Sequence, residues 1–324
     1  MSNLFDQLKE KVKGSDKRIV FPEGTDERIL TAAAKLGKDG VLQPILIGDE
    51  KEVKQKADEA GADISSCTIL NPTDYEKFEE MAEEFVERRK GKALIEQARK
   101  FILDENYFGT MLVHMGEADG LVSGAAHSTA DTVRPALQII KTKEDIRKTS
   151  GVFIMVREDE KYVFADCAIN INPSAGDLAE IAVESAVTAK LFDVDPRIAM
   201  LSFSTKGSAQ SEETEKVVGA LEIAKEKNPA LVIDGEFQFD AAFVPEVAAK
   251  KAPDSELKGD ANVFIFPSLE AGNIGYKIAQ RLGGFEAVGP ILQGLNKPVN
   301  DLSRGCSSDD VYKLALITAA QSDQ

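Results

Sequence analysis

The strongest constraint on the fold is the alternation of short β-branched segments with long amphipathic segments along most of the chain. In the first part of the sequence, strands are predicted at 18–21, 44–47, 67–70 and 120–123, with helical patterns between them. Strands that alternate with helices form βαβ units around a mostly parallel sheet. We therefore expect an α/β domain.

A charged turn at 157–161 interrupts this alternation. The β-branched runs that flank it, 152–156 and 162–165, predict a β-hairpin. The alternation then resumes, with strands predicted at 198–203, 231–233, 263–266 and 286–288 and helices such as 178–192. We therefore expect a second α/β domain that begins just before the hairpin and includes it.

The final predicted helix, 309–320, follows a long loop and has no strand of its own to cover. We expect it to pack against the first domain. The predicted organisation is a first α/β domain of residues 1–147 and 294–324 and a second α/β domain of residues 148–293, both with mostly parallel sheets.

The charge balance limits the classes of partner. Fifty-five acidic and 39 basic residues give a formal net charge of −16, which repels nucleic-acid phosphates and anionic lipid heads. No apolar run approaches the roughly 20 residues that span a bilayer, and the first segment lacks an apolar signal core. We expect no nucleic-acid partner, no membrane insertion and a cytoplasmic location.

Cysteine and histidine are scarce. Cys67, Cys167 and Cys306 are widely spaced and predict free thiols in a reducing compartment. With only His114 and His127 present, a histidine-rich metal site is not expected. The glycine-rich dinucleotide motif, the Walker A motif, the GxSxG elbow and HExxH are all missing from the sequence, so the enzyme classes that they mark lose their main support.

The stretch 123–135, SGAAHSTADTVRP, leads from a predicted strand into a predicted helix. Small side chains let backbone amides approach a ligand, and a helix start favours negative charge. Ser128 or Thr129 is the expected N-cap, and Arg134 adds a fixed cation. The alternative is a simple capped helix with a surface arginine, in which His127 is a structural hydrogen-bonding residue rather than a base.

A similar pattern occurs at 201–211, LSFSTKGSAQS. Hydroxyl groups and a lysine at a helix start can bind phosphate, which makes Lys206 and Ser208 candidate ligands. A turn without a ligand is the alternative.

The segment NDLSRGCSSDD near the carboxyl terminus predicts an active-site loop, because it concentrates acids, hydroxyls, an arginine and a thiol. A second interpretation is specific: Ser307 and Asp310 have the spacing of a capping box, in which Asp310 only starts a helix. Cys306 could be a nucleophile, but of its sequence neighbours only Arg304 would lower its pKa, so we expect an inert thiol.

Together these segments resemble the phosphotransacetylase (phosphate acetyltransferase) family in its compact two-domain form. The resemblance covers nearly the whole chain, through FPEGTDERIL, SGAAHSTADTVRPALQII, FADCAIN, LSFSTKGSAQS, DGEFQFDAA and GPILQGLNKPVNDLSRGCSSDD. It implies a fold similar to isocitrate and isopropylmalate dehydrogenases, with the active site in the cleft between two α/β domains.

The implied reaction converts acetyl-CoA and phosphate reversibly into acetyl phosphate and CoA, through a ternary complex and without an acyl-enzyme. Coenzyme A is a substrate, and no metal or other cofactor is expected; a homodimer is the expected assembly. Related phosphate butyryltransferases leave a longer acyl chain open as an alternative. Two further hypotheses are a non-catalytic acetyl-CoA sensor and, from fold likeness alone, an NAD-linked dehydrogenase.

The resemblance also implies roles for individual residues. Asp310 is the implied base, with Ser303 and Arg304 beside it and Arg134 also catalytic. A further arginine falls within the run at 88–90, where Arg89 is our choice. The candidate substrate-binding residues are Ser128, Thr129, Arg89, Arg28, Lys206 and Ser208, of which Arg28 is expected to bind the phosphates of CoA.

Overall fold

The structure is a computed structural model that describes residues 4–323. The chain divides into two compact units: unit 1 comprises the described residues of Met1–Lys143 and Leu295–Gln324, and unit 2 comprises Glu144–Gly294. Each unit is built on one mostly parallel or mixed sheet covered by helices. The predicted fold class, α/β with mostly parallel sheets, is confirmed.

Unit 1 contains a five-stranded parallel sheet in the order β11-β4-β1-β2-β3. Its strands are β1 (Arg18–Phe21), β2 (Gln43–Ile47), β3 (Thr68–Leu70), β4 (Gly120–Ser123) and β11 (Val299–Asp301). The first four match the predicted strands to within one residue. The edge strand β11 was not predicted, because three residues with a single large apolar side chain carry no periodic pattern.

The helices of unit 1 are α1 (Leu4–Val12), α2 (Glu27–Lys38), α3 (Glu50–Ala60), α4 (Phe78–Arg88), α5 (Ile95–Ile102), α6 (Glu105–His114), α7 (Thr129–Pro135), the π-helical turn Ala136–Ile140, and α13 (Ser308–Gln321). Three of them start at an aspartate whose carboxylate accepts backbone N–H groups of the first turn, Asp26, Asp49 and Asp104. Such caps satisfy donors that a helix start leaves unpaired.

Helix α13 packs against α1, α2 and the sheet of unit 1. Its Thr318 hydroxyl accepts a hydrogen bond of 2.8 Å from Asn300 in β11. The expectation that the last helix has no strand of its own is therefore wrong, since β11 precedes it and contacts it.

Unit 2 contains a six-stranded sheet in the order β10-β5-β6-β9-β7-β8. Its strands are β5 (Ser150–Arg157), β6 (Glu160–Ala165), β7 (Arg197–Leu201), β8 (Val232–Phe237), β9 (Val263–Ile265) and β10 (Glu286–Gln293). Strands β5 and β6 pair antiparallel across a short turn, which confirms the predicted hairpin, and β6, β9, β7 and β8 are parallel.

The helices of unit 2 are α8 (Ala175–Leu191), α9 (Glu212–Lys227), α10 (Phe239–Phe243), α11 (Pro245–Lys251) and α12 (Leu269–Arg281). An aromatic cluster fills one side of its sheet, where Phe264 packs edge-on against Phe164 and tilted against Phe239. Among residues 4–323, no helix combines the length and the apolarity that crossing a bilayer requires.

Candidate active site

The loop that follows β4 is built around a buried carboxylate from the end of β1. Glu23 is 6% exposed. Its two oxygens accept backbone N–H groups of Gly124, Ala125, Ala126 and His127 at 3.1, 2.9, 2.7 and 2.8 Å. The sequence left two interpretations of this stretch open, amides that bind an anionic ligand and a simple capped helix start. Because Glu23 already accepts the N–H groups of 124–127, the contacts favour the second interpretation for these four amides.

His127 completes this arrangement, with Nδ1 2.9 Å from Glu23 Oε1. Burial opposes ionisation of Glu23, but the hydrogen bonds from His127 and the backbone outweigh it and lower the pKa of the carboxyl. The bond to Glu23 raises the pKa of His127 against the opposite effect of burial. These contacts favour the structural role for His127.

Helix α7 begins at the predicted cap. Ser128 donates its backbone N–H and its hydroxyl to Asp131 Oδ2, at 3.1 and 2.6 Å. The next hydroxyl, that of Thr129, donates to Asp301 Oδ2 at 2.6 Å. Both hydroxyls therefore have partners within the protein, and substrate binding by Ser128 and Thr129 stays a prediction.

Arg28 joins the two segments of unit 1 that the sequence singled out. Its Nη2 donates to the Ala125 carbonyl at 2.7 Å, and its Nη1 donates to the carbonyls of Arg304 and Cys306 at 2.7 and 3.3 Å. The remaining donors bind the Asp26 carboxylate at 2.8 and 3.0 Å. The guanidinium is thus fully engaged, so these contacts give no support to binding of CoA phosphates by Arg28.

The two neighbouring arginines, Arg88 and Arg89, differ in whether their guanidinium groups have partners within the protein. Arg88 donates to the carbonyls of Ile139 and Ile140 at 2.5 and 2.9 Å. The Arg89 guanidinium makes no hydrogen bond or ion pair with residues 4–323. Free donors therefore favour Arg89 over Arg88 as the ligand.

Arg89 and Arg134 share a neighbour. Burial raises the pKa of the Tyr107 phenol, and the charges of Arg134 and Arg89 both act to lower it. Arg134 lies exposed near the end of α7, and no described side chain pairs with its guanidinium. Two unpaired cations thus act on one buried ring.

In the segment 303–310, the capping box is present. Ser307 donates its N–H and hydroxyl to Asp310 Oδ2, both at 2.8 Å, and its Oγ accepts the Asp310 N–H at 3.2 Å. Within the described chain, no group donates to the other carboxylate oxygen, Oδ1. The capping contact therefore leaves one oxygen of Asp310 for another task.

Ser303 and Arg304 precede this cap, and both are exposed. Ser303 Oγ accepts the Gly305 N–H at 3.3 Å. The Arg304 guanidinium, like that of Arg134, has no partner in the part of the chain that the structure describes. The segment 303–310 thus carries an unpaired arginine and a hydroxyl before the cap and a carboxylate in the first turn of α13, all on exposed residues.

The three cysteines are free thiols. Burial raises the pKa of Cys306, and the nearby positive charge of Arg28 opposes this only in part. Burial also raises the pKa of Cys67 to about 11 and that of Cys167 well above its usual value. All three thiols stay protonated near neutral pH, which disfavours a cysteine nucleophile.

The loop after β7 in unit 2 differs from its prediction. Helix α9 begins at Glu212, where Ser211 is the cap. Ser204–Ser208 therefore form a separate turn, and the expectation that this turn opens directly into the helix is wrong.

Acidic residues from β8 hold this turn. Glu236 accepts the hydroxyl of Ser204 at 2.7 Å and the N–H of Gly207 at 2.9 Å. Lys206 Nζ donates to Asp234 Oδ1 at 2.6 Å and to the carbonyl of residue 235 at 2.7 Å. Ser208 Oγ accepts the backbone N–H of residue 205 at 3.0 Å. Substrate binding by Lys206 and Ser208 therefore gains no support from these contacts.

Sequence reasoning missed Glu23, Asp301 and Glu236, the buried acids that organise these segments. For Glu23 and Glu236 a signal was available, because each lies at or just after the carboxyl end of a strand next to small residues. For Asp301 there was none, since its strand was not recognisable.

Comparison with known proteins agrees with this architecture. Residues 3–319 match the family model described as "Phosphate acetyl/butaryl transferase". The chain is 72% identical over 321 residues to the phosphate acetyltransferase of Bacillus subtilis (strain 168), which covers 99% of both chains. It is similar to the crystal structure of a phosphotransacetylase from Streptococcus pyogenes, with 63% identity, a TM-score of 0.97 and coverage of 100% of this chain and 99% of that one.

A more distant likeness concerns the fold alone. A Salmonella typhimurium structure provisionally named a 4-hydroxythreonine-4-phosphate dehydrogenase shares 13% identity, with a TM-score of 0.55 over 95% of this chain and 99% of that one. The expected dehydrogenase-like fold is thereby confirmed. The chain belongs to the phosphate acetyl/butaryl transferase family.

Proposed function

We propose that this protein transfers an acetyl group reversibly between coenzyme A and inorganic phosphate, by direct attack of the CoA thiol on acetyl phosphate in a ternary complex. The relatives named phosphate acetyltransferase support the choice of acyl group and acceptor. The raised pKa values of the buried cysteines support a route without an acyl-enzyme.

One observation carries the proposal: the guanidinium groups of Arg89, Arg134 and Arg304 make no hydrogen bond or ion pair with residues 4–323. By contrast, Arg28 binds Asp26 and three backbone carbonyls, and Arg88 binds two backbone carbonyls. An unpaired guanidinium alone does not mark a site, since that of the exposed Arg281 in α12 is also unpaired among residues 4–323. Arg134 and Arg304 differ from Arg281 because they follow β4 and β11, neighbouring strands of the unit 1 sheet. A guanidinium binds phosphate oxygens through two parallel N–H groups. We therefore assign the phosphoryl group to these arginines.

Asp310 is the proposed base. An ordinary thiol of pKa ~8.5 loses its proton to an ordinary aspartate of pKa ~3.9 at a cost of roughly 6 kcal/mol. Proton transfer that accompanies C–S bond formation avoids this cost, because no free thiolate forms. Since Ser307 binds only Oδ2, Oδ1 of Asp310 can accept the proton.

The step balances as follows. The CoA sulfur bonds to the carbonyl carbon of acetyl phosphate while Asp310 takes the thiol proton. The tetrahedral centre then collapses, the bond from carbon to the phosphate oxygen breaks, and the proton passes to the leaving phosphate. Arg134 and Arg304 stabilise the charge that develops on the carbonyl and phosphate oxygens. We assign to Ser303 a hydrogen bond from its hydroxyl to the same group.

The remaining candidate ligands have different roles in this proposal. Arg89 binds a phosphate of one substrate. Arg28 holds the two active-site segments of unit 1 together. Ser128 and Thr129 shape the start of α7, and Lys206 and Ser208 maintain the turn of unit 2, because their polar groups bind protein partners.

Assembly and location complete the proposal. Helix α12 exposes Ile274 and Ile278 by 56 and 53%, and its C-cap residue Leu282 is 86% exposed. This four-residue spacing forms an apolar stripe, which supports the homodimer. Free cysteines fit a reducing compartment such as the cytoplasm.

The test is loss of the acetyl-CoA thioester absorbance when phosphate is added to the purified protein. We expect phosphate-dependent turnover that EDTA leaves unchanged, because thiol attack on acetyl phosphate needs no metal. Faster turnover with butyryl-CoA than with acetyl-CoA would favour the longer-chain alternative. Binding of acetyl-CoA without turnover would favour the sensor hypothesis and contradict the proposal.

A further inference from the structure

Asp301 lies at the junction of the two active-site segments of unit 1, and the proposed mechanism gives it no role. It is the last residue of β11 and pairs with Ser123, the last residue of β4. The backbone N–H of the next residue, Leu302, donates to the Ser123 carbonyl at 2.7 Å. The stretch that leads to α7 leaves the sheet at Ser123, and the segment 303–310 leaves it at Asp301.

The side chain of Asp301 connects these segments. Asp301 is 3% exposed, and its Oδ2 accepts the hydroxyl of Thr129, the first residue of α7, at 2.6 Å. Its Oδ1 is buried without a hydrogen-bond partner among the described residues. A Cβ on Gly124 would lie 2.6 Å from this oxygen, so the carboxylate fits tightly beneath the loop.

The carboxylate of Asp301 is much less well satisfied than that of Glu23. Glu23 accepts four backbone N–H groups and bonds His127, whereas Asp301 has one hydroxyl donor. Burial raises the pKa of Asp301 to about 6, while Thr129 and Thr132 lower it only in part. A buried carboxylate with few donors weakens folding. Stability alone therefore does not explain an acid at this position.

We propose that Asp301 is a positioning residue for the transferase reaction: through Thr129 it holds α7, and with it Arg134, in register with the segment that carries Ser303 and Arg304. The inference rests on the proposed function. A displacement of about 1 Å at a catalytic group can lower the rate by up to about a hundredfold. The hydrogen bond from Thr129 is the bond through which Asp301 can prevent such a displacement. The hydroxyl of Thr132, on the same helix, also acts on the carboxylate but makes no hydrogen bond with the described residues.

Variants at both ends of the bond test the proposal. Thr129→Val has the same shape without the hydroxyl, and Thr129→Ser keeps the hydroxyl. We expect Thr129→Val and Asp301→Ala each to lower kcat at least about tenfold with KM values within about threefold, and Thr129→Ser to stay within about twofold of the unmodified protein. Because the two residues act through one bond, the double variant should be no slower than the slower single variant.

Thr318→Val is the matched control. It removes a buried hydroxyl that binds Asn300, the neighbour of Asp301 whose side chain points to the opposite face of β11. We expect a lower melting temperature and kcat within about twofold. An equal loss of kcat in Thr318→Val and Thr129→Val would overturn the proposal, since general destabilisation would then suffice. A raised KM with unchanged kcat in Thr129→Val would overturn it too.

Hydrogen exchange gives a measurement that does not need turnover. In Thr129→Val, and not in Thr318→Val, the amides of 130–134 and of 302–306 should both exchange faster. Unchanged exchange in either segment would contradict the coupling. If the unmodified protein had no transferase activity, the proposed function would fail, while the exchange data would still decide whether Asp301 couples the two segments.

Discussion

The loop after β4 in unit 1 and the loop after β7 in unit 2 are built from similar residue types, but the basic residue associated with each loop has different partners. Both lead from a strand through small residues, and both are held by a buried glutamate, Glu23 or Glu236. In unit 1 the cation that follows the loop, Arg134 in α7, makes no hydrogen bond or ion pair with the described residues. In unit 2 the cation, Lys206, binds Asp234. Small residues and hydroxyls thus predict a turn whose donors can bind a carboxylate of the protein itself. Whether the basic residue has a protein partner then distinguishes a structural turn from a candidate ligand site.

The largest expected effect concerns Asp310, which belongs to the unit 1 side of this comparison. Asp310→Asn keeps an oxygen that can accept the Ser307 hydrogen bonds, so the helix cap should survive. Because the variant lacks the general base, its kcat should nevertheless fall at least about a hundredfold, within the usual range for loss of such a group. Steady-state kinetics with acetyl phosphate and CoA measure this.

The control is Asp309→Asn, one residue earlier on α13. Asp309 pairs with Lys313 at 2.9 Å on the exposed face of the helix. This variant should keep its kcat. If Asp309→Asn were the inactive variant, or if Asp310→Asn lowered only the melting temperature, Asp310 would be a helix cap and not the base.

The next prediction compares the two cations directly. Arg134→Ala should lower kcat/KM by about 10²- to 10³-fold, the usual loss when a group that stabilises transition-state charge is removed. Arg134→Lys should recover only part of this loss, because an ammonium group cannot form a two-point contact with phosphate.

Lys206→Ala is the matched variant in unit 2. It should lower the melting temperature, because Asp234 and the carbonyl of Gly235 lose their donor, while kcat/KM stays within about threefold. Equal kinetic losses in Arg134→Ala and Lys206→Ala would show that both loops bind substrate, and the contrast between them would fail.

The smallest effect concerns the glutamates that fill the loops. Glu23 is paired with His127, whose pKa is raised above its usual value of 6.5. The pair therefore contributes its full stability between pH 4.5 and pH 6.5, the usual pKa values of the two groups, and loses part of it as the pH rises through the raised pKa of His127. Because the pKa of Glu23 is lowered, the contribution is also lost in acid, below its usual value of 4.5.

The measurement is the melting temperature of the unmodified protein and of His127→Gln between pH 5 and pH 9. The alkaline decline should be smaller in His127→Gln, by about 2 °C for a domain of this size. Identical pH profiles would mean that His127 carries no charge that stabilises unit 1. Glu236 accepts its two hydrogen bonds from neutral groups, so Glu236→Gln should leave the alkaline decline unchanged.

Most strands of the two sheets could be predicted because they carry β-branched residues between amphipathic helices. Only the first three residues of β10 were predicted, because Gly289 and Pro290 interrupt its pattern. The edge strand β11 could not be predicted, since its three residues form a strand only beside β4. The caps follow from local spacing: Ser128 is one of the two N-caps that the sequence offered for α7, and the capping box of Ser307 and Asp310 is one of the two interpretations of its segment. The acids that fill the loops could not be assigned, because Glu23 meets its amide donors about a hundred residues further along the chain.

The hydrogen bond from Arg28 to the carbonyl of Arg304 spans 276 residues of sequence. During synthesis, the first four strands of the unit 1 sheet leave the ribosome well before β11 and α13, and the whole of unit 2 is made in between. Until β11 and α13 have been made, the edge of β4 is therefore unpaired and the apolar face that α13 covers is exposed, a state prone to aggregation. Contacts so distant in sequence also form slowly. A chain that stops before residue 299 lacks Asp310 and the carbonyls of Arg304 and Cys306 that Arg28 binds, so catalytic competence arises only after Asp310 has been synthesised.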